Sequence, residues 1–255
     1  MLSNSKSSIL FEKLAYDTWE RLKYGEVLNC SQSEETITDI NLLEIKRAGL
    51  QDILVSKSDK SQEGVTGIDW EWWIGSNSTG WWRYAVQAKK LSKERKYHKL
   101  RHKVGTEYQI DILEKYATAN NCIPLYTFYN YTDSNTLHKN WHCNLAFEKE
   151  QLGCTVVPID VVRQAFQIRS DKSFTSLHKD KRSVPWRCLV KCPLYSVHSS
   201  QNSCHPLASA GYKEVRPYKI NLSNMTSETI LDSEFYNHKI EILPKRILII
   251  RTDGE

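Results

Sequence analysis

Apolar residues between Ser8 and Tyr24 recur at Leu10, Phe11, Leu14, Ala15, Trp19 and Leu22, which predicts an amphipathic helix. A second helix is predicted from Gln32-Ser33-Glu34-Glu35, with Ile37, Ile40, Leu43 and Ala48 on its apolar side. Ser31 with Glu34 fits a capping box, the paired acids suit the positive end of the helix dipole, and Gly49 is a stop signal. Asp52 to Ser56 carries a short apolar run, a candidate first strand, before a polar loop over Ser58–Gly64. Further on, Glu107 to Ala119 reads as a helix and Ile123 to Tyr131 as a strand rich in Tyr, Phe and Leu. Ile159 to Phe166 looks helical, Lys172 to Ser183 reads as an exposed basic loop, and Pro185 to Val197 as a strand segment. Ile247-Leu248-Ile249-Ile250 has the composition of a buried strand.

The period changes to two between Gly67 and Lys89. Gly67-Ile68-Asp69-Trp70-Glu71 and Tyr84-Ala85-Val86-Gln87-Ala88-Lys89 flank the turn-forming segment Gly75-Ser76-Asn77-Ser78-Thr79-Gly80, which predicts a hairpin. Closure about Ser78 sets Asp69 opposite Gln87 and Lys89 opposite Gly67. Alternation then puts Asp69 and Glu71 on one face with Gln87 and Lys89, and turns Trp70 and Trp72 to the other. Most of the tryptophan cluster is expected to be core, with Trp81 and Trp82 near the turn as the better candidates for base stacking.

Composition narrows the class. The chain has 255 residues, enough to bury a core without disulfide staples, and its seven cysteines form no evident framework. A reducing cytoplasm is the simpler setting. No run reaches the roughly 18 apolar residues of a membrane span, and the N-terminus has no export pattern, so no membrane partner is expected. Cys188, Cys192, Cys204 and His205 match no strong zinc spacing, and His138, Trp141, His142 and Cys143 read as local structure. The net charge of +5 is modest, but Lys89, Lys90, Lys93, Arg95, Lys96, Lys99, Arg101 and Lys103 face a single acid, Glu94. Such a run at the hairpin's end suits the phosphates of a polyanion.

The face that carries Asp69, Gln87 and Lys89 therefore combines an acid, an amide and a lysine, a set suited to metal-assisted phosphodiester hydrolysis. Asp69…Gln87-x-Lys89 resembles the PD-(D/E)xK nuclease superfamily, in the Gln-x-Lys branch of Mrr-like restriction endonucleases. With Glu34-Glu35-Thr36-Ile37-Thr38-Asp39 upstream and Ile123-Pro124-Leu125-Tyr126 downstream, residues 10–200 are similar to an uncharacterised bacterial restriction-endonuclease-like family. The resemblance implies an α/β restriction-endonuclease-like core, a central mixed β-sheet flanked by helices. Residues 1–150 are read as that core and 151–255 as a C-terminal extension; it either completes the domain or forms a small extra unit, and the lack of a Gly/Ser linker favours packing on the core. The resemblance further implies an Mg²⁺- or Mn²⁺-dependent endonuclease, a phosphodiester hydrolase with DNA favoured over RNA and the choice between them left open. By analogy with restriction-like relatives it implies a role in defence against foreign DNA.

In that reading Asp69, the Gln87 side chain and a main-chain carbonyl near Gln87-Ala88 hold the cation. Glu35 completes the acid set, with Glu34 or Glu44 as alternatives, and Glu71 is a further metal candidate. Lys89 orients water and stabilises charge on phosphate, while Gln109, a helix glutamine, is expected at the surface, with a place behind the metal ligands as the alternative. Lys90, Lys93, Arg95, Lys96, Lys99, Arg101 and Lys103 form the nucleic-acid contact. A homodimer stays open, as do two other classes: an inactive nucleic-acid-binding module of the same fold, and a protein-interaction module.

Overall fold

The predicted periodicities become two layers of helices around a sheet in the computed structural model. It describes residues 6–57, 67–143, 145–167, 172–190, 215–226 and 244–252. In chain order the elements are α1 (Lys6–Val27), α2 (Glu34–Ala48), β1 (Ile53–Lys57), β2 (Trp70–Ser76), β3 (Gly80–Lys90), β4 (Lys103–Val104), β5 (Glu107–Tyr108) and α3 (Gln109–Ala119). There follow β6 (Ile123–Tyr129), β7 (Cys154–Pro158), α4 (Ile159–Gln167), α5 (Phe174–His178), β8 (Val184–Pro185), α6 (Arg187–Val190) and β9 (Arg246–Arg251). The Ser58–Gly64 loop, residues 191–197, Cys204 and His205 lie outside the described residues.

Seven of the described strands form one sheet in the order β1-β9-β2-β3-β6-β7-β8. The pairs β2–β9 and β3–β6 are parallel and the others antiparallel, with α3 as the crossover between β3 and β6. The protein is thus of the mixed α/β class, a central mixed sheet flanked by helices. The final strand sits inside the sheet: β9 pairs with both β1 and β2. Strands from residue 151 onward therefore share one sheet with those before it. Among the described residues, no helix is long and apolar enough to cross a membrane.

Alternation decides what each face buries. Trp70, Trp72, Tyr84, Val86 and Ala88 join Phe11, Leu14 and Ala15 of α1 in the largest apolar cluster. Trp72 and Trp186 meet edge to face at 5.8 Å, the arrangement favoured by ring quadrupoles. Burying one such indole contributes up to about 5 kcal/mol. That anchors the hairpin firmly and leaves its opposite face free to carry polar groups.

Three local expectations are corrected. Ser33, not Ser31, caps α2, accepting from the Thr36 N–H at 3.1 Å, while Ser31 accepts from Lys90 Nζ at 2.9 Å. The Lys172–Ser183 segment is not an exposed loop: Phe174 and Leu177, one helical turn apart, carry α5 into the core, and Ser173 caps it. Among the described residues of Pro185–Val197, Pro185 pairs as a strand with Val184 in β8, and Arg187–Val190 is a helical turn. Gly49 ends α2 in the left-handed region at φ 61°, as a stop signal requires.

Candidate active site

Gly67 begins the approach to the site. Its φ is +66°, and a Cβ there would lie 3.1 Å from Ile112 Cγ2 and 3.3 Å from the Gln109 carbonyl. Only glycine lets the chain pass this close to α3. Two residues later the Asp69 N–H donates to the Val86 carbonyl at 2.9 Å. The hairpin pairs Trp70 with Val86, so Asp69 stands opposite Gln87, the register of closure about Ser78. Asp69 Oδ2 accepts the Ala88 N–H at 2.6 Å and a hydrogen bond from Gln87 Nε2. The same amide nitrogen donates to the Ala88 carbonyl at 3.1 Å.

Two residues on, Lys89 shares the face of Gln87 and points to the start of α3. Its Nζ donates to Gln109 Oε1 at 2.8 Å and lies 3.6 Å from Glu34 Oε1. Gln109, expected at the surface, is therefore a direct partner of the lysine. Asp69, Gln87 and Lys89 are 8%, 1% and 3% exposed, so their charges interact through protein rather than bulk water.

The acids sort differently from the sequence expectation. Glu34 reaches the site: besides Lys89 it accepts the Lys90 N–H at 2.9 Å. Glu35, one position later on α2, turns about 100° away, the rotation per residue of an α-helix. It pairs with Lys245 and with Arg246. Arg246, missed in the sequence, also binds Asp39 at 2.7 Å and donates to the Asp69 carbonyl at 3.3 Å, tying α2 and β9 to the Asp69 backbone. Its one signal was a charge directly before the apolar run Ile247–Ile250. Glu44 pairs with Arg47 along α2.

Glu71 is on the Asp69 face but is already engaged. Its oxygens receive Arg83 Nη2 at 2.7 Å, Trp73 Nε1 at 2.7 Å and the Tyr116 hydroxyl at 3.3 Å. That is a buried structural pair, and it leaves Glu71 poorly disposed to ligate a metal. Burial works against the Arg83 charge, but the adjacent Glu71 carboxylate outweighs it and holds the group above its ordinary value. Trp81 is fully buried, donating to Asn77 Oδ1 at 3.2 Å, and Trp82 packs half-buried against the main cluster. Trp81 therefore cannot stack on a base.

The basic segment is likewise divided. Tyr97 and Leu100 are buried anchors, and around them Lys93, Lys96, Lys99 and Lys103 are exposed. Arg95 instead pairs with Glu26 at 2.8 Å and lies 5.1 Å over the Tyr131 ring. Arg101 lies over Phe166 at 4.4 Å. Lys90 donates to Gln32 O at 2.5 Å, and burial lowers its pKa against the opposing pull of Glu34 and Glu26. The exposed cations are therefore lysines, of which Lys93 also donates to the Glu26 carbonyl and Asn29 Oδ1 and Lys103 lies over Tyr108, while the arginines hold the segment down.

Hard oxygen donors dominate the cluster: the Asp69 and Glu34 carboxylates, Gln87 Oε1 and the Ala88 carbonyl. Among the described residues no group of three or more His, Cys, Asp or Glu side chains gathers for a metal. A cation here would depend on the two acids, neutral oxygens and water, a set that suits Mg²⁺ or Mn²⁺. The Gln87 amide presents Nε2 to Asp69, so Oε1, buried without a hydrogen-bond partner, would reach a cation there only with the amide turned over. No curated protein matches the chain. The sequence profile of the family of unknown function DUF6615 matches residues 8–255, and the chain belongs to that family.

Proposed function

We propose that this protein is a divalent-metal-dependent nuclease that hydrolyses phosphodiester bonds, in DNA in preference to RNA, and works in the cytoplasm in defence against foreign DNA. The observation that carries the reading is that Asp69, Gln87 and Lys89 share one sheet face, Asp69 bonded to Gln87 and Lys89 beside Glu34 at the capped start of α2. Asp69 and Glu34 would hold the cation with the Gln87 and Ala88 oxygens. A bound Mg²⁺ or Mn²⁺ supplies Lewis-acid activation of water and charge neutralisation on phosphate. Lys89, placed by Gln109 and Glu34, would orient water and stabilise charge as it develops on the phosphoryl oxygens. Exposed Lys93, Lys96, Lys99 and Lys103 would lead the backbone toward this end of the sheet.

The test is cleavage of supercoiled plasmid and of RNA in Mg²⁺ or Mn²⁺ by the wild type, Asp69→Asn and Lys89→Ala. Each substitution should reduce turnover on the order of 100-fold or more, as loss of a preorganised charge in a water-poor site does. Asp69→Asn should also lose the tightest divalent site in calorimetry while keeping affinity for DNA in metal-free buffer. A wild type that binds no divalent cation and cuts neither substrate refutes the enzyme. Salt-dependent DNA binding without cleavage would instead leave an inactive binding module.

A further inference from the structure

Gln87 and Tyr126 occupy paired positions on the parallel strands β3 and β6. Both side chains are fully buried, and two of their polar atoms, Gln87 Oε1 and the Tyr126 hydroxyl, have no hydrogen-bond partner. They are not bonded to each other. One is an acceptor and the other a hydroxyl that can donate or accept, and their residues are paired across adjacent strands. The phenol is raised by burial, offset in part by Arg163, and raised further by Asp69, Glu114 and Glu34, which places it within the electrostatic reach of the site.

A glutamine amide can present either its oxygen or its nitrogen to a neighbour. In the structure the amide nitrogen faces Asp69 and donates to it. A cation held by Asp69 requires an oxygen at that place, and turning the amide over would deliver Oε1. The displaced Nε2 then needs an acceptor where Oε1 now sits. We propose that Tyr126 is the positioning residue for this exchange: through one ordered water its hydroxyl donates to Oε1 in the orientation observed, and it accepts from Nε2 in the other. No aliphatic or aromatic hydrocarbon side chain could serve both orientations. This inference rests on the metal-dependent reading of the site and names a residue that tunes it.

The experiment compares the full-length wild type with Tyr126→Phe, which keeps the ring and removes one oxygen. Mg²⁺ titration by calorimetry should show binding weakened by about 10–100-fold, the usual consequence of losing a group that orients a ligand. The thermal midpoint should stay close to the wild-type value, since the hydroxyl removed makes no direct hydrogen bond. In the Gln87→Glu background both terminal atoms are oxygens, no amide flip is needed, and Tyr126→Phe should change Mg²⁺ affinity by less than about threefold on the same outer-shell scale. Equal Mg²⁺ affinity in wild type and Tyr126→Phe overturns the proposal while leaving the nuclease reading in place. A large fall in thermal midpoint overturns it too, by making the hydroxyl structural. A wild type that binds no Mg²⁺ removes the reading and the proposal together.

Discussion

Replacing Glu71 with alanine asks whether this acid serves the sheet or the site. Glu71 is fully buried, and Arg83 beside it is 5% exposed. Without the carboxylate, Arg83 retains the Asn120 carbonyl at 3.2 Å, the Tyr116 hydroxyl at 3.4 Å and the face of Trp73 at 5.3 Å. None of these carries a compensating charge. Removing one partner of a buried pair typically costs about 3–5 kcal/mol, because the other charge stays desolvated. Against a total stability of roughly 5–15 kcal/mol, that would shift a urea midpoint far outside error. Tryptophan fluorescence reports the transition, since Trp73 touches both groups. Removing both charges in Glu71→Leu with Arg83→Met should recover most of the loss, as a well-packed apolar pair often matches a buried ion pair. Mg²⁺ affinity of folded Glu71→Ala should stay at the wild-type value. A stability loss below about 1 kcal/mol, the level of an exposed pair, or intact stability with abolished metal binding, would refute the structural assignment.

Neutralising Lys93, Lys96, Lys99 and Lys103 together should weaken nucleic-acid binding, with no change in thermal midpoint. In duplex DNA the slope of log K against log salt should fall by about 0.9 for each phosphate that a lysine no longer neutralises. Arg95→Ala should instead destabilise the fold by about 1 kcal/mol through its Glu26 and Tyr131 partners, and an unchanged midpoint there would count against that role. His178 is buried between the Thr155 hydroxyl and the Phe174 carbonyl, and burial lowers its pKa from 6.5 to about 4. The unfolded imidazole gains a proton in that window and the folded one does not, so stability present above pH 6.5 should fall by roughly 3 kcal/mol as pH drops to about 4. Urea midpoints of wild type and His178→Asn that run parallel across this range would contradict the assignment. Ser33→Ala should cost α2 about 1 kcal/mol and Ser31→Ala little, read by thermal unfolding; the reverse order would return the cap to Ser31.

Elements whose buried face repeats at a fixed period were legible in the sequence, because burial alone selects that pattern. Leu10 to Leu22, the Trp-rich hairpin, Ile123 to Tyr131 and Ile247 to Ile250 all appear as helix or strand close to the expected limits. The hairpin register was legible for the same reason. A slip of one residue would have turned Trp70 and Trp72 to the polar face and Asp69 into the apolar cluster. Long-range pairing has no local signature, so the sequence did not show β9 entering between β1 and β2, or Arg246 reaching across to Asp39. Nor could it choose among neighbouring acids. Glu34 and Glu35 are chemically equivalent as text, and about 100° of helix rotation, fixed by how α2 packs on the sheet, sends one toward Lys89 and the other toward Lys245. Glu71 and Asp69 share a strand face, yet Arg83 across the hairpin neutralises one, while main-chain and amide donors hold the other in place. The sequence determined which side chains share a face; the partners that reach them from distant segments decided which are committed to the fold and which remain for chemistry.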